Sequence, residues 1–260
     1  MSDQPTALIT GASGGLGAEF AKLHAARGGD LVLVARSADK LATLQAQLHA
    51  EFGVRVTVIA RDLAVPDAGE SLAAEIKGQA LVVDYLINNA GFGGVGKFAE
   101  RPWDEDRRMI LLNVLTLTSL LRQFLPEMIA RGHGRVLNVG SGASFVPGPL
   151  QATYYATKAY VLSLSEAVAN ETAGTGVTVT VLCPGATDTG FAERADATDV
   201  RAFRRLASAT EVAKYGYDAM LAGKTVAVHG WGNKVLLHGA IRFLPRWLVT
   251  KMSRMTMEAA

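Results

Sequence analysis

Seven short apolar runs constrain this chain more than any other feature: TALIT (6–10), LVLVA (31–35), VRVTVI (54–59), VVDYLI (82–87), RVLNVG (135–140), VTVTVLC (177–183) and TVAVHG (225–230). Each is close to continuously apolar, as suits strands of a parallel sheet covered on both faces. Between them lie amphipathic stretches at 16–27, 38–51, 67–77, 103–131, 151–173 and 210–222. Regular β-α-β alternation predicts an α/β fold, a doubly wound parallel sheet of about seven strands with right-handed crossovers. With 49% hydrophobic residues in 260, a sizeable core is expected. No Pro/Ser-rich linker, low-complexity segment or internal repeat interrupts the pattern, so one domain is expected over 1–260. The longest stretch without a clear period, 184–209, is a candidate lid over a site.

Charge and cysteine content narrow the class. The formal net charge of +2 gives no mandate for nucleic acid. It is unevenly spread: the extension 234–260 carries five basic residues (Lys234, Arg242, Arg246, Lys251 and Arg254) and one acidic residue, Glu258, whereas the remainder carries 21 basic and 23 acidic. Ile241, Phe243, Leu244, Trp247 and Leu248 stand between those charges. A plain surface helix with snorkelling arginines is the reading preferred here over peripheral contact with a membrane or an acyl carrier. Cys183 is the single cysteine, so no internal disulfide forms. The start, MSDQPTALIT, lacks the basic and apolar regions of a signal peptide. The greasy stretch 109–121 is too short to span a bilayer. A cytoplasmic protein is expected. The five histidines, 24, 49, 133, 229 and 238, have no metal-ligand spacing, and no metal is expected.

The first apolar run leads straight into a glycine cluster and then a helical pattern, TALITGASGGLG (6–17). Gly11 can make the tight turn, Gly15 lets backbone approach a pyrophosphate, and Gly17 permits close helix–strand contact. The helix N-terminus offers free N–H groups and partial positive charge to phosphate. In the first βα turn this is a dinucleotide-binding signature and makes the expected fold Rossmann-like. The end of the second strand selects the dinucleotide: a carboxylate there accepts from the ribose 2′-OH of NAD, an arginine accommodates the 2′-phosphate of NADP. LVLVA is followed by Arg36, and Asp39 sits where it serves the first turn of a helix. Arg36, with the Ser13 hydroxyl, favours NADP(H) over NAD(H).

Residues 154–160 read YYATKAY. Tyr154 and Tyr155 precede Lys158 by four and three residues, and on a helix either spacing reaches the lysine's face. A lysine beside a tyrosine favours the phenolate and suits acid–base work. Spacing alone leaves both tyrosines eligible, and equally allows a packed ring under a lysine stem. Asn113, inside MILLNVL, is a polar amide on an apolar helical face and wants a reason.

Together these segments resemble the short-chain dehydrogenase/reductase family over most of the chain. TGASGGLG (10–17) is similar to its T-G-x-x-x-G-x-G loop. Asp62, with Leu63 beside it, matches the acidic residue that contacts the adenine amino group. NNAG (88–91) matches a motif that places Asn89, Ala90 and Gly91 along the cofactor. Asn113 matches the asparagine of the central helix. Ser141, thirteen residues before Tyr154, matches the catalytic serine, although Gly142 stands where a second serine is common. PGATDT (184–189) is similar to the segment whose Pro184, Gly185, Thr187 and Thr189 border the nicotinamide. The resemblance thus selects Tyr154, in Tyr154-x-x-x-Lys158, as the catalytic tyrosine and leaves Tyr155 and Tyr160 to packing or an interface. The subgroup approached is the bacterial ketoacyl- or hydroxysteroid-type reductases.

The implied chemistry is hydride transfer between NADP(H) and a carbonyl or alcohol carbon, with a proton moved at oxygen. Tyr154 is then the acid–base residue, Lys158 lowers its pKa from near ~10 and grips the ribose, and Ser141 holds the substrate oxygen. Asn113 orients a water beyond the lysine. Phe92, Phe145, Val146, Gln151 and Phe191 are the expected substrate wall, mostly apolar, for a small hydrophobic ketone, aldehyde or secondary alcohol. A 3-oxoacyl thioester reductase is the alternative, and a non-catalytic dinucleotide-binding sensor or scaffold the contrary class. A homodimer or homotetramer is implied by the resemblance.

Overall fold

Hydrogen bonding between parallel strands runs unbroken across the centre of the molecule. The structure, a computed structural model, describes residues 4–195, 200 and 206–258, and only the backbone of 192, 193, 238, 240 and 242. Seven strands, β1 (Thr6–Thr10), β2 (Asp30–Ala35), β3 (Val56–Ala60), β4 (Tyr85–Asn88), β5 (Gly134–Val139), β6 (Val177–Cys183) and β7 (Val226–Val228), form one sheet in the order β3-β2-β1-β4-β5-β6-β7. Every pairing is parallel. All seven apolar runs thus became strands. The fourth is shorter than its run: Val82 is exposed, and Asp84, at the strand's start, also accepts from Thr6 N through its carboxylate at 2.9 Å.

The helices are α1 (Gly15–Ala25), α2 (Ala38–Phe52), α3 (Ala68–Gly78), α4 (Trp103–Arg131), α5 (Ala152–Glu171), α6 (Ala209–Leu221), α7 (231–243) and α8 (Arg246–Met257). Side chains alternate across a pleated strand, and the sheet uses both faces. Ile9, Leu31 and Leu33 meet Phe20, Leu41 and Tyr217 of α1, α2 and α6, whereas Leu8, Val32 and Val34 meet Leu72, Leu120 and Val168 of α3, α4 and α5. This explains the continuous apolar runs and makes the domain doubly wound and Rossmann-like. The strand order reverses between β1 and β4, which opens a crevice at the carboxyl ends of the strands.

Two features depart from the sequence reading. The greasy stretch 109–121 belongs to a 29-residue helix, α4, which by length and composition is long and apolar enough to cross a membrane. Here its face of Met109, Leu117, Leu120, Phe124 and Met128 is buried in the fold. The basic extension forms two helices, α7 and α8, and α8 buries Val249, Ser253 and Met257 against the body.

Candidate active site

The glycine loop leaves β1 at Gly11, which has φ +66°, a left-handed conformation. A Cβ on Gly11 would lie 2.8 Å from Asn89 Nδ2, and one on Gly17 would collide with the Gly11 carbonyl oxygen. Gly17 therefore serves the close approach expected of it. Gly15, also left-handed, faces the Thr189 side chain, 2.9 Å from a Cβ placed there. Asn89 secures the loop by donating from Nδ2 to the carbonyls of Thr10 (2.9 Å) and Gly11 (3.2 Å). Thr10 Oγ1 in turn accepts from the backbone N–H groups of Asn89 and Ala90. Behind it, Asn88 donates to Asn138, and Asn138 to Ser165, so buried amides tie β4 and β5 to α5. NNAG is thus a clasp joining two strand ends.

A cleft of about 970 Å³ runs from this loop across the carboxyl ends of the strands. Gly11, Ser13, Gly15, Arg36, Asp62 and Leu63 line one part, with Lys40 and Arg61 beside them. The Asp62 carboxylate accepts from Ala64 N at 2.9 Å and from Arg108 at 2.7 Å. Partial burial pushes its pKa up, but the Arg108 and Ala64 hydrogen bonds and the charges of Arg108 and Arg36 outweigh that and hold it below the usual carboxylate range. Asp39 lies in the first turn of α2, as expected.

At the other end four polar residues converge. Tyr154 and Lys158 sit one turn apart on α5, 8% and 5% exposed, with Ser141 beside the tyrosine hydroxyl. Ser141 caps a short 3₁₀ turn, Gly142–Phe145: its Oγ accepts from Ala143 N, and its own N–H donates to buried Ser144 Oγ at 3.2 Å. Lys158 donates from Nζ to the Val139 carbonyl at 2.7 Å and stands 5.8 Å from the Tyr154 ring centre. Asn113 lies in a π-helical turn of α4, Leu111–Thr116, the kind of local widening that recurs at functional sites. Its Nδ2 donates to Phe92 O (3.0 Å) and Thr157 Oγ1 (3.1 Å), and its Oδ1 accepts from Phe92 N (3.2 Å). A Cβ on Gly91 would lie 3.1 Å from Asn113 Oδ1 and 3.4 Å from Lys158 Nζ. A side chain at 91 would crowd both groups.

The electrostatics reverse one expectation. Burial raises the Tyr154 hydroxyl to about 12, a rise only partly opposed by the Ser141 hydrogen bond. Burial also lowers Lys158 to about 8. In the protein alone burial dominates the phenol, and it disfavours the charge of the lysine as well.

Phe92, Gln151 and Phe191 line the cleft, and Phe191 packs on Tyr154 with ring centres 5.3 Å apart. Phe145 and Val146 do not line it. The 3₁₀ turn carries Phe145 away to pack with Val161, Cys183 and Leu237. Pro184, Gly185, Thr187 and Thr189 do line the cleft; Thr187 donates to Gly185 O and Thr189 to Thr187 O, so both hydroxyls brace their own segment. Of the candidate lid 184–209, residues 196–199 and 201–205 lie outside the described residues. Tyr155 also lines the cleft, half-buried beside Ser253 of α8, whereas Tyr160 is on the surface and hydrogen-bonds Thr118. Sequence reasoning missed Ser144, Thr157, Arg194 and Met257. Met257, from the far end of the chain, is 2% exposed and joins Tyr155 and Phe191 at the cleft.

The open space beside Gly14, with nothing within 4 Å of an added Cβ, lies at the N-terminus of α1 and leaves room for a phosphate against backbone N–H groups. A glycine loop at a topological switch point, joined by one cleft to a buried Ser–Tyr–Lys cluster, defines a dinucleotide-dependent oxidoreductase. The short chain dehydrogenase family model matches residues 5–199. The chain belongs to the short-chain dehydrogenase/reductase family, oxidoreductases that bind a nicotinamide dinucleotide. It is 34% identical over 180 residues to a 7β-hydroxysteroid dehydrogenase of Collinsella aerofaciens, covering 69% of this chain and 68% of that one. It is 37% identical over 175 residues to a very-long-chain 3-oxoacyl-CoA reductase of Aspergillus clavatus, covering 66% of this chain but only 51% of that one. Among solved structures, a short-chain dehydrogenase of Sphingobium yanoikuyae in complex with NADPH superposes with a TM-score of 0.82 at 34% identity, covering 92% of this chain and 94% of that one.

Proposed function

We propose that the protein interconverts a hydrophobic ketone or aldehyde and its alcohol with NADP(H). The observation that carries this reading is the convergence of Ser141, Tyr154 and Lys158 in the cleft against an apolar wall of Phe92 and Phe191. NADPH, when bound, supplies the hydride to the carbonyl carbon. Tyr154, protonated at neutral pH with its hydroxyl raised to about 12, is already in the form that donates a proton to the carbonyl oxygen. Ser141 holds that oxygen where negative charge develops. Lys158 as an ammonium favours the phenolate left behind and holds ribose hydroxyls of the bound cofactor. Asn113 acts as a positioning residue, keeping Phe92 and α5 in register.

Arg36, with Lys40 and Ser13 in the same part of the cleft, supports a 2′-phosphate and hence NADP(H). A 3-oxoacyl thioester is the second reading: Arg194, at the rim, can meet an anionic carrier group, and one relative is named a 3-oxoacyl-CoA reductase. A bulky ketone such as a steroid is favoured by the apolar wall and by the relative named a 7β-hydroxysteroid dehydrogenase. A cytoplasmic setting and a homo-oligomer complete the proposal. The test is a screen of NADPH and NADH oxidation over carbonyls of graded size, including steroid ketones and 3-oxoacyl thioesters. NADPH-driven reduction of bulky apolar ketones is expected; turnover confined to small polar carbonyls, or to NADH, overturns the reading.

A further inference from the structure

We propose that the C-terminal helix pair, α7 and α8, is a docking surface for an anionic lipid bilayer. The two helices carry some of the most exposed large apolar side chains in the structure: Phe243 is 89% exposed, Trp231 81% and Trp247 69%. Val235 and Leu236 of α7 and Met252 and Met255 of α8 are exposed as well. On α8 the faces separate cleanly. Trp247, Lys251 and Arg254, spaced four and three apart, point outward, while Val249, Ser253 and Met257, spaced four apart, are buried. Tryptophan and phenylalanine rings amid lysine and arginine match the boundary between headgroups and acyl chains.

Charge identifies the occupant. From residue 231 to 258 the chain has five basic residues and one acidic residue, Glu258, which pairs with Arg254 at 3.1 Å. Lys234, Arg246 and Lys251 are exposed on the same two helices as the aromatic rings. A second copy of the chain fits less well, because an isologous contact would set this net positive face against itself, whereas anionic headgroups attract it. The opposite side of α8 carries Met257 into the cleft, so the lipid-facing surface and one cleft wall are two faces of one helix. The docking inference is independent of which carbonyl is reduced.

The full chain is sedimented with vesicles of phosphatidylcholine alone and of phosphatidylcholine with phosphatidylglycerol, at low and raised salt. Binding to the anionic vesicles only, weakened by salt, is expected. A Lys234→Gln/Lys251→Gln variant should bind about 25-fold more weakly, at about fivefold per basic side chain. A Trp231→Ser/Phe243→Ser/Trp247→Ser variant should not pellet. Circular dichroism and the unfolding midpoint check that the variants are folded; if the triple variant is not, the double lysine variant decides. Equal binding to neutral vesicles, no binding at low salt, or unchanged binding by the lysine variant overturns the proposal. So does a wild type that ignores vesicles and forms an oligomer that the aromatic variant dissociates, which would make this face a contact between copies.

Discussion

Replacing Asn113 by alanine separates two accounts of that residue. In the family-derived account it orients a water beyond Lys158, so its loss slows turnover and leaves the fold alone. The geometry makes it a clamp: three hydrogen bonds, at 3.0, 3.1 and 3.2 Å, join α4 to both backbone polar groups of Phe92 and to Thr157. Asn113 is only 1% exposed, so water replaces few of these bonds. At about 1 kcal/mol net for each bond, with Thr157 retaining its own bond to Tyr154 O, the loss is about 2–3 kcal/mol. For a domain of this size that lowers the unfolding midpoint by about 4–6 °C. Differential scanning calorimetry beside steady-state kinetics is the assay. Lower kcat with a midpoint within about 1 °C of wild type refutes the clamp and restores the water account; a fall in both supports it.

Other outcomes follow from the same geometry. Tyr154→Phe should lower kcat by at least about 100-fold, while Tyr155→Phe, beside Ser253 rather than Ser141, should lower it less than about threefold by the same assay. Arg36→Ala should raise KM for NADPH about 10- to 100-fold, the value of a charge-assisted hydrogen bond, and leave KM for NADH nearly unchanged. Lys158→Met should abolish turnover and yet raise the unfolding midpoint of the protein alone. Burial lowers the Lys158 amine from 10.5 to about 8, so the fold disfavours its charge. Below pH 8 both states hold the proton and the full cost is present, about 2–3 kcal/mol after allowing for the lost Val139 bond. Between the two values the folded protein releases the proton first and stability rises with pH. The methionine variant's advantage should therefore shrink from pH 8 to 10.5 and vanish above it; an advantage that grows with pH contradicts the assignment.

Much of this protein was legible in its sequence because the deciding physics is local. Apolar runs such as LVLVA mark strands buried on both faces, since Leu31 and Leu33 must serve one core layer while Val32 and Val34 serve the other. The left-handed turn at Gly11 and the crowding at Gly17 act within a few residues. One helical turn brings Tyr154 and Lys158 onto the same face of α5. What the tertiary structure alone decided depends on distant chain meeting in space. Asn113 finds Phe92 and Thr157 only once α4, the β4 loop and α5 converge. Met257 becomes a cleft wall because α8 folds back over Tyr155. Phe145 leaves the expected wall because Ser141 and Ser144 wind a 3₁₀ turn that aims it at Val161. The Tyr154 pKa moves upward rather than downward for the same reason: residue spacing places a lysine nearby, but burial, which only the assembled fold supplies, sets which charge it favours.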